Sequence, residues 1–152
     1  MALSKVSNNM LSAGNVVQVV YTNSSVKHTV SSTSYVDVDL EGTITPQFAN
    51  SKIIVMINYT IDTNASDNTG ARVLRNGTQI KEELYWGYMS DSTSEWLVTR
   101  QPWWLEDTPN TTSAVTYKLQ AKRVSGDNSF YPQYSDGTGE TDSQVILMEI
   151  RQ

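Results

Sequence analysis

The run Ser51-Lys-Ile-Ile-Val-Met-Ile-Asn-Tyr-Thr-Ile-Asp62 constrains the fold more than any other stretch. In an extended chain Ile53, Val55, Ile57, Tyr59 and Ile61 point to one side, while Ile54 and Met56 point to the other and give way to Asn58 and Thr60. Its short length, its β-branched content and its polar borders at Asn50 and at Asp62-Thr63-Asn64 favour a strand over a buried helix. One face is expected to be core from end to end, and the other to be covered only at its start. Such a strand needs neighbours on both edges and a second sheet over its apolar face.

The rest of the chain reads as those neighbours. Val16 to Tyr21 is a short strand, and Val26 to Val30 is a candidate second one after the Asn23-Ser-Ser turn. Tyr35 to Thr45 alternates, with Val36, Val38, Leu40 and Ile44 inward and Asp37, Asp39 and Glu41 outward. Ala71 to Glu82 carries Asn76-Gly77 between two alternating runs, a pair that tolerates positive φ at both positions of a two-residue type I′ hairpin. Tyr85 to Tyr88 leads through a polar tip, Ser90 to Ser94, into Glu95 to Leu105, which Pro102 either bends or places at a sheet edge. Ala114 to Lys122 turns Val115, Tyr117, Leu119 and Ala121 inward, Ser129 to Tyr134 is a weaker strand, and Ser143 to Arg151 is the last.

Roughly eight to ten short strands without a convincing helix predict an all-β, antiparallel β-sandwich of jelly-roll type. It is expected to span residues 16–152 behind a short N-terminal arm, residues 1–15, with the first and last strands side by side. At 152 residues the chain is long enough for one domain with a real core. A net charge of −5 without clusters of Lys and Arg argues against nucleic acid as a partner. The chain has no cysteine for a disulfide or thiolate site, and no apolar stretch long enough for a signal peptide or membrane span. A protein made in the cytoplasm and remaining soluble is the expectation.

No catalytic constellation emerges, and neither an enzyme nor a cofactor is expected. His28 is the single histidine, has no nucleophile to serve, and reads as a surface strand residue. Asp37, Asp39 and Glu41 recur every second residue and so would line an exposed face at about 7 Å intervals, more simply as a solvated surface than as a cation site. The loop Asp136-Gly-Thr-Gly-Glu140-Thr-Asp142 has a composition suited to calcium but misses the spacing of an EF-hand, so no metal is expected there.

The aromatic group Tyr85, Trp86, Tyr88, Trp96, Trp103 and Trp104 is more telling, since it holds all four tryptophans of the chain. Trp103 and Trp104 are adjacent and point to opposite faces of an extended strand, so both cannot enter one core. Trp86, Trp96, Trp103 and Trp104 are therefore the candidates for a subunit interface or for stacking on a sugar.

Several stretches resemble a β-rich jelly-roll domain of tailed-bacteriophage virion proteins. They are Val16-Val-Gln-Val-Val20 after the Leu11-Ser-Ala-Gly14 arm, Ser32 to Asp37, Ile44-Thr-Pro46, Ser51 to Val55, Thr116 to Gln120 and Val145 to Ile150. In that family the domain ends head or tail fibres or stands alone as a capsid decoration protein. The resemblance spans nearly all of residues 11 to 151 and names no active site. It implies a homotrimer on the virion surface, partnered by the major capsid protein or other virion proteins. In such an assembly the arm, through Leu3, Val6, Met10 and Leu11, would dock on the shell and order on binding. Only about fifteen residues precede the domain, where a fibre carries a long shaft, so decoration is expected over a fibre tip. The alternative is a receptor-binding tip that recognises host-surface glycan or protein through its tryptophans.

Overall fold

The computed structural model describes residues 12–63, 68–88, 97–125, 129–133 and 142–152. All regular structure among them is strand: β1 Val16–Ser24, β2 Val36–Ile44, β3 Lys52–Thr63, β4 Asn68–Arg75, β5 Thr78–Tyr88, β6 Leu97–Asp107, β7 Val115–Ser125, β8 Tyr131–Pro132 and β9 Ser143–Ile150. They form two antiparallel sheets packed as a sandwich. One has the order β1-β9-β3-β6 with β8 also paired to β3, and the other the order β2-β7-β4-β5. The chain passes repeatedly from one sheet to the other, a winding compatible with a jelly roll. The first and last strands pair as expected, with Val20 opposite Leu147 and Tyr21 opposite Ile146.

The stretch at Ser51–Asp62 becomes the middle of its sheet. β3 pairs with β6 along Ile53 to Thr63, and its other edge pairs with β9 along Lys52 to Asn58 and with β8 at Ile61 and Asp62. Its inner side chains Ile53, Val55, Tyr59 and Ile61 are fully buried and Ile57 nearly so. They meet Val38, Leu40, Ile44, Val73, Tyr117 and Leu119 of the facing sheet in one core. Burying each large apolar side chain contributes about 1.5–3 kcal/mol.

The outer face of β3 reverses the expectation. Met56 near its start is 39% exposed, whereas Thr60 and Asp62 at its end are 1% exposed. The buried end is the one where β8 joins the edge of β3 and the N–H of Gln133 donates to the Thr60 carbonyl at 2.9 Å.

The hairpin between β4 and β5 forms at Asn76 and Gly77, whose φ values of 47° and 85° are both left-handed, as type I′ demands. In β2 the inward–outward alternation holds as predicted, but the ladder with β7 breaks. Asp37 stands opposite Gln120 and Glu41 opposite Lys118, so a bulge at Asp39, with φ 48°, packs three residues of β2 against one of β7. The carbonyl of Val38 accepts a hydrogen bond from Nε2 of the buried Gln133 at 2.6 Å. Asp37, Asp39 and Glu41 are all exposed on the outward side as predicted, but the bulge disturbs their even spacing. The segment Val26 to Val30 is not a strand either, and only Val30 bridges to Phe130.

Two carboxylates latch the sandwich. Asp107 at the end of β6 accepts Arg75 Nη1 on both oxygens, at 2.8 and 3.0 Å, and Tyr117 Oη at 2.8 Å, tying β6 to β4 and β7 of the other sheet. Glu149 of β9 is fully buried and accepts the N–H groups of Gln47 and Phe48 and Nε2 of Gln18. Ahead of β1, Gly14 N–H donates to the Arg151 carbonyl and Arg151 N–H to that of Asn15, so this joint continues the pairing of the terminal strands. Leu3, Val6, Met10 and Leu11 lie outside the described residues.

Candidate functional site

The two outer faces of the sandwich differ in kind. On the β2-β7-β4-β5 sheet, Lys118 Nζ holds Asp37 at 3.3 Å and Glu41 at 3.1 Å, because the bulge at Asp39 brings those two carboxylates to one cation. Arg72 Nε donates to Gln120 Oε1 at 2.7 Å, and the Arg72 and Lys122 cations each lie 4.3 Å from the Tyr35 ring centre. Tyr35 Oη donates to Glu82 Oε1 at 2.5 Å. The hydrogen bond from Gln120 is the main cause that holds the Asp37 carboxyl below its ordinary range. Charges satisfied this way across neighbouring strands suit a face kept in water.

The outer face of the β1-β9-β3-β6 sheet is apolar. Its registers line up Tyr21, Ile146, Met56 and Trp104 as direct neighbours across the four strands. Beside that row stand Val19, Met148 and Ile54, and on its other side Asn23, Gln144, Asn58 and Pro102. Val19 is 57%, Tyr21 56% and Trp104 67% exposed.

The sequence explains how this face arises. β3 opens Ile53-Ile-Val-Met56 and β9 carries Val145-Ile-Leu-Met148, runs apolar on both sides of the strand. Continuous runs of this type belong to strands covered on both faces, yet here the second face is only partly covered, with Met56 exposed and Ile54, Ile146 and Met148 half-buried.

Toward the β6 edge the face deepens into a cavity of about 510 Å³, lined by Met56, Asn58, Arg100, Pro102, Trp104, Gln144 and Ile146 among others. β6 is the edge strand of its sheet, the position that Pro102 tolerates. Trp103 turns inward and is 6% exposed, so the adjacent tryptophans part to opposite faces as predicted. Trp86 lies on β5 with its side chain outside what the structure describes, and Trp96 lies outside the described residues.

Other sequence candidates fall elsewhere. His28 sits in a loop, not in a strand; its N–H donates to the Pro132 carbonyl, and its Nε2 lies 3.1 Å from Asp39 Oδ2. Asp136 and Glu140 of the candidate calcium loop lie outside the described residues, and Asp142 accepts Asn23 Nδ2 at 3.1 Å. Among the described residues no group of three or more His, Asp or Glu side chains is placed to hold a metal ion. Sequence reasoning missed Tyr21, Met56, Asn58, Arg100, Gln144 and Ile146 as site residues. The only signal for them was the apolar content on both sides of β3 and β9.

No family model matches the chain, and no curated protein matches it in sequence. Among solved structures it is similar to a mutant VP2 protein of infectious bursal disease virus in derived T=1 particles. That match has 10% identity and a TM-score of 0.47, and covers 99% of this chain and 36% of the other. It is also similar to infectious bursal disease virus Gx strain, with 9% identity, a TM-score of 0.43 and coverage of 98% and 42%. A third match is dimeric latent PorU from Porphyromonas gingivalis, with 12% identity, a TM-score of 0.42 and coverage of 92% and 14%. The chain spans less than half of each of these longer chains, and likenesses at this level assign neither family nor function.

Proposed function

We propose that the protein is a non-enzymatic structural component of a bacteriophage virion, a homotrimeric capsid decoration protein that assembles through the outer face of its β1-β9-β3-β6 sheet. The observation that carries this reading is the mismatch at β3 and β9, whose sequences are those of doubly covered strands while Tyr21, Met56 and Trp104 stand open to water. Exposed apolar side chains that are neighbours across four strands form a contiguous patch, a feature that on soluble proteins often marks an interaction surface. The opposite face, with its paired charges, is the one left to solvent. The sequence resemblance to tailed-phage virion domains supplies the partners: further copies of the chain, and the major capsid protein of the shell. The protein would thus be made in the host cytoplasm and reside on the virion surface.

The test is binding to shells of the parent phage that lack this protein. The wild-type chain is expected to bind saturably, and Tyr21→Asp, which puts a charge on the β1 side of the apolar row, to bind at least about tenfold more weakly. Equal binding by both would remove the sheet face from the account.

A second reading has its own observation. Trp104 presents most of its indole to solvent beside the amides of Asn58 and Gln144. A stacking platform next to hydrogen-bonding groups suits recognition of a host-surface glycan, as a receptor-binding tip would need.

A further inference from the structure

We propose that the cavity beside Trp104 binds a pyranose sugar bearing a carboxylate, an inference that rests on the glycan-recognition reading above and names its ligand class. A pyranose is amphipathic, with a face of C–H bonds and a rim of hydroxyls, and the cavity is amphipathic in the same sense. Trp104, Met56 and Ile146 form one apolar row, and Asn58 and Gln144 stand opposite each other in the next. The two rows are about 7 Å apart, one two-residue step along a strand and close to the width of a sugar ring with its substituents. The indole face takes the C–H face, and each amide offers both a donor and an acceptor to a hydroxyl. Among the described residues neither amide side chain is engaged in a hydrogen bond of its own.

Arg100 selects the charge. It lies on the outer side of β6 opposite Thr60, one step beyond the amide row, and lines the cavity. Among the described residues no carboxylate lines the cavity with it. Glu106, on the same side of β6, is held instead by Lys52 Nζ at 3.0 Å. In a chain of net charge −5, this leaves an arginine without an ion pair among the described residues, beside a sugar-sized hollow. A guanidinium in that place matches the planar fork of a carboxylate. The cavity volume of about 510 Å³ falls in the range of small-ligand sites. Met56 and Trp104 also belong to the apolar row of the assembly reading, so the cavity serves a sugar only under the receptor-binding reading on which this inference rests.

Titrations of the full chain with methyl glucuronide, the methyl glycoside of N-acetylneuraminic acid and methyl glucoside, followed by the tryptophan indole N–H resonances, test this. At least one acidic probe is expected to bind about tenfold or more tightly than the neutral glucoside. Arg100→Gln should erase that difference while leaving glucoside binding, and Trp104→Ala should abolish binding of all probes with the thermal midpoint unchanged. Equal binding of acidic and neutral probes, lost in Trp104→Ala, would overturn the acidic specificity and leave glycan recognition standing. A preference that survives Arg100→Gln would overturn the assignment of the charge to this arginine. Absence of binding by every probe would overturn both the inference and the reading it rests on.

Discussion

Trp103 and Trp104 are consecutive residues of β6, yet the first is 6% and the second 67% exposed, because alternate side chains of a strand leave on opposite faces. Trp103 packs in the core formed by both sheets and Trp104 stands on the open outer face. The two positions should therefore separate stability from binding. Trp103→Ala is expected to cost about 3–5 kcal/mol in urea unfolding, the usual loss for a large aromatic deleted from a core. Trp104→Ala should stay within about 0.5 kcal/mol of wild type.

Glu149 gives the fold an acid-sensitive anchor. Burial pushes its carboxyl up, but the hydrogen bonds from the Gln47 N–H, the Gln18 amide and the Phe48 N–H outweigh this and hold it below its ordinary value of 4.5. A carboxyl lowered in the folded state stabilises fully above its unfolded value, and that contribution is lost as pH falls through the lower folded value. Unfolding free energy should thus be flat in this respect above about pH 5 and fall below about pH 4.5. In Glu149→Gln this part of the acid limb should be missing. Stability at pH 7 should be lower by about 2–3 kcal/mol, since an amide NH₂ would then face backbone donors.

The latch at Asp107 should also be measurable. Asp107→Ala leaves the Tyr117 hydroxyl and the Arg75 guanidinium without the carboxylate that joins the two sheets. A loss of about 2–3 kcal/mol is expected in denaturant unfolding, and Tyr117→Phe should lose less, because the Arg75–Asp107 pair survives it.

At the hairpin, Gly77 has φ 85° and nothing within 4 Å of where a Cβ would stand, so only backbone conformation opposes a side chain there. Gly77→Ala should cost about 1–2 kcal/mol. Asn76→Ala should cost a comparable amount for a second reason, since Asn76 Oδ1 accepts the Thr116 N–H at 2.9 Å and thereby ties the turn to β7.

What the sequence made legible follows from the two-residue period. The inner residues of β3 and β7, the Asn76-Gly77 turn and the divergence of the two tryptophans depend on local alternation or turn chemistry, while the pairing of the terminal strands followed from the general proximity of chain ends in a single domain. The bulge at Asp39 escaped because it leaves the inward–outward alternation of β2 intact and shows only in the register with β7. Evenly spaced carboxylates consequently became two partners of Lys118 and one of His28. The outer face of β3 was misjudged for a related reason. Ile54 and Met56 are apolar enough to imply a cover and Thr60 and Asp62 polar enough to imply solvent, yet the polar end is the buried one, where β8 joins the edge of β3. The row from Tyr21 to Trp104 joins residues from four strands, and only the registers reveal that they are neighbours.

The central claim is that copies of this chain associate through the outer face of the β1-β9-β3-β6 sheet, and the most direct measurement is mass by light scattering at micromolar concentration. The account predicts three times the 17.0 kDa of one chain for wild type, and the mass of a single folded chain for a Val19→Asp, Tyr21→Asp double variant. A wild-type protein that remains monomeric at that concentration, or a double variant that remains trimeric, would contradict it.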